Sequence, residues 1–87
     1  MPYIKAEKRG LYDSSIEQLV KILEKQPLME VDGDLNYIVT SICKKLYAPK
    51  YFNYNRAIGV LEAIKQEFYR RVVAPYEDTK IVENGDV

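Results

Sequence analysis

The chain has no histidine, so its 87 residues offer no imidazole for acid–base catalysis, for activating a serine or cysteine nucleophile, or for a histidine-bearing zinc site. Its one cysteine, Cys43, excludes a disulfide within the chain and any zinc or iron–sulfur site made from cysteines of a single copy. That cysteine falls on an apolar helical face and reads as a buried thiol in a reducing compartment. Net charge is lacking too. Thirteen basic residues balance thirteen acidic ones, which leaves no overall field to draw in nucleic acid or an anionic membrane. No apolar run is long enough to span a bilayer, and the opening MPYIKAEKRG lacks the apolar core of a signal peptide. Neither GxxxxGK[ST] nor GxGxxG occurs. These absences point to a cytoplasmic, non-enzymatic protein with no metal, no cofactor and no membrane partner.

The carboxylates give no stronger signal. Asp32, Asp34 and Asn36 imitate the opening of an EF-hand loop, but Tyr37 stands where the loop needs glycine and Cys43 where it needs glutamate. Helix capping is the plainer reading of these residues. Glu62 and Glu67 are five residues apart, hence about 140° apart around a helix, and cannot share a metal from one helix.

What is present is an ordinary globular balance, 47% apolar and 30% charged, which argues against disorder. A single domain of this length has a marginal core, and without a disulfide or metal such domains commonly oligomerise. The pattern is helical throughout. Residues 1–12 show no sustained period and read as an N-terminal arm, packing through Tyr3 and Ile4 on the helices or on a neighbouring copy. A first helix is expected from Asp13 or Ser14, with Ser14 and Glu17 spaced as a capping box, to Gln26 before Pro27. Its stripe is Ile16, Leu19, Val20 and Leu23. Residues 27–33 read as a loop in which Asp32-Gly33-Asp34 turns the chain and caps the next helix. That helix carries Leu35, Ile38, Val39, Ile42, Cys43 and Leu46, and ends at Lys44, Lys45 and Pro49.

The longest periodic stretch follows, from Tyr54 to Ala74, with Asn53 or Asn55 as cap. Tyr54, Ala57, Ile58, Leu61, Ile64, Phe68 and Val72 recur at helical spacing. Its expected burial sets Ala57, Leu61, Ile64 and Phe68 against Leu19, Leu23, Ile38 and Ile42. Pro75 breaks or kinks it and starts a short helix to about Glu83, stopped by Asn84-Gly85, with residues 84–87 frayed. The expected architecture is all-α: a small bundle of three main helices plus a short C-terminal one.

The long helix also holds the densest cluster of Tyr, Asn and Arg. Tyr51, Asn53, Tyr54, Asn55, Arg56, Tyr69 and Arg70 supply aromatic faces beside guanidinium groups, the parts that hold a nucleobase and its phosphate. Gly59 and Ala63, four apart and small, allow a ligand or another backbone to approach closely; they equally suit plain helix packing. With Tyr3 and Ile4 they form the candidate subunit interface.

The segments GDLNY (Gly33 to Tyr37), NYNRAIGVLE (Asn53 to Glu62), KQEFYRRVVAPYED (Lys65 to Asp78) and ENGDV (Glu83 to Val87) resemble a family of short uncharacterised proteins of bacteriophage and bacterial genomes. The resemblance spans nearly the whole chain, and YRRVVAPYED is its most specific part. It implies a small phage-type accessory protein that acts by binding in the host cytoplasm. The first expectation is an oligomer that sequesters a nucleotide-derived anionic signal; the alternative is a helical inhibitor or adaptor of a host protein. The balanced charge argues against nucleic acid as the ligand.

Overall fold

A computed structural model describes residues 3–87, and every element among them is helical, as the periodicity predicts. A 3₁₀ turn at Ala6–Lys8 leads into α1, Gly10–Leu23, followed by α2, Leu28–Leu46, and α3, Tyr51–Phe68. A π turn, Tyr69–Val73, joins α3 to α4, Ala74–Asn84. None of these helices is long and apolar enough to cross a membrane. The contacts divide the chain into two units, Met1–Leu46 and Tyr47–Val87.

In the first unit, α1 begins at Gly10, ahead of the expected Asp13 or Ser14, and no side chain caps it. The 3₁₀ turn explains this. Arg9 already has helical dihedrals, and its carbonyl accepts from the N–H groups of both Tyr12 and Asp13, so the helix grows from a preformed turn and leaves the capping box unused. Part of the expected arm is therefore helical, while Met1 and Pro2 lie outside the described residues.

α2 also begins early. Asp32-Gly33-Asp34 sits inside the helix rather than in a loop before it. Pro27, just ahead of the first turn, sets the backbone for a helix start; its carbonyl accepts from the N–H of Glu30 and Val31. Glu30 in the first turn and Lys44 and Lys45 in the last follow the helix dipole. These signals outweigh the cost of Gly33, about 1 kcal/mol relative to alanine.

In the second unit the backbone is helical without interruption from Tyr51 to Asn84, roughly 50 Å at 1.5 Å per residue. Lys50, in extended conformation, precedes it, and neither Asn53 nor Asn55 caps it. Pro75 does not break it. Proline has no N–H and crowds the carbonyl four residues back, here Arg71. The strain is taken up by widening the turn. The N–H of Ala74 bonds the carbonyl of Tyr69, five residues earlier, and Pro75 then fits the opening of α4. The helix ends at Gly85, whose φ of 89° needs a residue without a side chain.

The residues expected to be buried are covered unequally. Among the described residues only Ala57 is buried. Leu61, Leu23 and Ile38 are half-buried, while Ile64, Phe68, Leu19 and Ile42 are exposed. Cys43, expected as a buried thiol, is half-buried. Within the first unit, α1 and α2 cover only part of each other's stripe.

Candidate functional site

Five of the seven expected ligand residues lie together in the first turns of α3. The Asn53 amide donates to the Ala48 carbonyl at 3.1 Å, tying the start of the helix to the chain before it. Tyr51 beside it is 86% exposed, and Tyr54 and Asn55 are exposed as well. The Arg56 guanidinium sits 5.8 Å from the centroid of the Phe52 ring, one turn earlier, a cation–π geometry. The sequence reading missed Phe52, although its i,i+4 spacing from Arg56 signals the contact. Arg56 takes part in no ion pair among the described residues.

Tyr69 and Arg70 form a second group at the π turn. Arg70 lies fourteen residues from Arg56, roughly 21 Å along the axis, so the two guanidinium groups do not face one mononucleotide-sized ligand within a chain. Both residues of this group also have carboxylate partners. Arg70 Nη2 donates to Glu67 Oε1 at 2.9 Å and to Oε2 at 3.2 Å. The Tyr69 hydroxyl donates to Glu77 Oε1 at 2.5 Å, and that bond, with the negative charge beside it, raises the phenol above its usual pKa. Residues eight apart on a regular α-helix point about 80° away from each other. The π turn absorbs one residue and brings Tyr69 and Glu77 onto one side. Only Pro75 hints at this pairing in the sequence.

The candidate interface residues are open. Tyr3 and Ile4 are exposed, Ala63 is half-buried, and a Cβ built on Gly59 meets nothing within 4 Å. Nearby, the Glu62 carboxylate accepts from Lys65 at 3.0 Å and from Gln66 at 3.1 Å. The bond from Lys65 and then that from Gln66 hold its pKa below the usual value.

Two concave regions lie elsewhere, in the first unit. A cleft of about 220 Å³ between α1 and α2 is lined by the apolar Leu19, Ile22, Leu23 and Ile38 together with Gln26, Asp34 and Tyr37. A wider groove runs along α2 past Asp32, Gly33, Asn36, Thr40 and Lys44. None of the expected ligand residues lines either one. Among the described residues no three His, Cys, Asp or Glu side chains group as metal ligands would.

A family model described as Domain of unknown function (DUF6899) matches residues 1–87. No curated protein matches the chain, and no solved structure does.

Proposed function

The chain belongs to the DUF6899 family, and we propose that it acts without catalysis, as a helical protein–protein binding module that first assembles with its own copies. The observation that carries this reading is the exposed apolar surface of the helices. Ile58, Ile64 and Phe68 are each more than half exposed along one side of α3, in a chain whose only buried residue among those described is Ala57. Fully burying side chains of this kind contributes about 1.5–3 kcal/mol each, and contiguous exposed apolar surface marks an interaction face. A second face of α3, open around Gly59 and Ala63, is available to a host protein. The resemblance noted above supports a phage-type accessory setting in a host cytoplasm, where such a module blocks or recruits its partner. Light scattering on the eluting protein tests the first step. A mass that is a multiple of 10.1 kDa is expected, and a monomer at high micromolar concentration overturns it.

One observation favours a second reading, capture of a nucleotide-derived anion. Arg56 stacks on Phe52 beside the open ring of Tyr51, which sets a guanidinium and aromatic faces together in the first turns of α3. A cyclic di- or trinucleotide at 100 times its dissociation constant then stabilises the fold by about 2.7 kcal/mol, and Arg56→Ala removes that shift. No shift with any of these nucleotides rejects this reading and leaves the first standing.

A further inference from the structure

The continuous helix from Tyr51 to Asn84 carries two patterns that a single copy does not use. One is an exposed stripe. Tyr54, Ile58, Ile64, Phe68, Val72 and Tyr76 are all at least half exposed and recur at helical spacing on one side. The other is a division of charge. Residues 51–73 hold Arg56, Lys65, Arg70 and Arg71 against Glu62 and Glu67, an excess of two positive charges. Residues 74–84 hold Glu77, Asp78 and Glu83 against Lys80, an excess of two negative charges. Lys50 and Asp86 extend the same polarity at each end.

This layout runs against the helix's own dipole. Acidic groups stabilise a helix N-terminus and basic groups its C-terminus, and α2 obeys that rule at both ends. Here the first turn of α3 has no acidic residue and the last turn of α4 no basic one. The polarity therefore costs an isolated helix stability and calls for compensation from outside it.

We propose that the helix Tyr51–Asn84 pairs antiparallel with the same helix of a second copy, stripe against stripe, with its positive first half beside the partner's negative last part. A parallel pair sets like charges side by side and aligns the two dipoles. An antiparallel pair opposes both. The contact is two-fold symmetric, the same patch on each copy, and closes on itself without leaving a half-site to propagate. This inference rests on the self-association proposed above and adds its orientation and register.

Spin-label distances test it. On a Cys43→Ser background, Asn55→Cys and Val82→Cys each carry one label at an exposed position, roughly 40 Å apart along one helix. An equimolar mixture of the two labelled proteins is expected to give short distances between position 55 of one copy and position 82 of another. Either protein alone gives only long ones. Short distances within a single labelled species mean parallel pairing and overturn the proposal. An oligomeric mass with no short distance in any sample also overturns it while self-association stands. A monomeric mass defeats both.

Discussion

Gly59 stands in the interior of α3 with open space where a side chain would begin, and Gly33 has the same freedom inside α2. Glycine in a helix interior costs roughly 0.5–1 kcal/mol relative to alanine. Gly33→Ala and Gly59→Ala are therefore each expected to stabilise the protein by about that amount in chemical denaturation. A loss of stability in either would mean that the backbone is approached closely there by another copy or a ligand. Gly59→Leu sharpens the test: it leaves a stripe-mediated dimer at its mass, whereas a fall in mass on this variant alone moves the contact to the Gly59/Ala63 face. Glu62 gives a residue-scale prediction in pH. Its carboxyl is held below the ordinary value of 4.5 by Lys65 and Gln66. A depressed folded-state value stabilises the fold above the unfolded pKa, and the contribution is lost as pH falls through the folded one. The effect is small, since the pair is solvent-exposed. Carbon-detected titration of Glu62 is expected to give a midpoint below 4.5, moving up in Lys65→Ala and again in Gln66→Ala. A midpoint unmoved by either substitution rejects the assignment.

At the scale of the element, the π turn links three residues that sequence spacing keeps apart. Pro75 forces the wide turn, the wide turn aligns Tyr69 with Glu77, and Glu77 holds the proton on the Tyr69 hydroxyl. A raised folded-state value means that this contribution to stability is present below the unfolded phenol pKa and lost as pH rises through the folded one. Ultraviolet titration is expected to show a late-ionising phenol that disappears in Tyr69→Phe and moves down in Glu77→Gln. Pro75→Ala restores the missing N–H, lets regular helix return and turns the two residues apart, so it moves the phenol down too. If Pro75→Ala leaves the titration unchanged, the turn has another cause. The same segment shows where the sequence is legible. Pro75 and Asn84-Gly85 mark the start and stop of α4 to within a residue or two, and the 3.6-residue period marks α1, α2 and α3 as α-helices, while the 3₁₀ turn at Ala6–Lys8 and the π turn at Tyr69–Val73 carry no such signal. What misled was local chemistry with two meanings. Ser14 with Glu17 has the form of a cap, and Asp32-Gly33-Asp34 the form of a turn, yet a preceding 3₁₀ turn and Pro27 open those helices earlier. The candidate site was legible as a composition, and its first turns do cluster. Its division into two groups roughly 21 Å apart follows from simple rise along the axis, while the carboxylate partner of Tyr69 depends on a turn geometry that no short motif encodes.

For the whole molecule, the governing fact is that helical periodicity names which side of a helix wants burial but not what buries it. The stripe from Tyr54 to Phe68 has the pattern of one wall of a core, yet Ile64 and Phe68 are exposed. A lone helix carrying Gly59 and several β-branched residues is only marginally stable in water, because helical stability in proteins comes chiefly from packing an amphipathic face. On the pairing proposed above, folding of the second unit is coupled to association, and anything that binds only the folded state raises the melting temperature with its concentration. The midpoint of thermal unfolding followed by circular dichroism is expected to rise steadily as the protein is taken from low to high micromolar concentration. Phe68→Asp places a charge at the middle of the stripe. It is expected to abolish the concentration dependence, reduce the mass to 10.1 kDa and lower the helical signal. Val82→Asp makes the equivalent change at an 86% exposed position off the stripe, and leaves all three readouts unchanged. A melting midpoint independent of concentration in the native sequence, with full helicity in Phe68→Asp, would show that the helix stands alone and needs no partner.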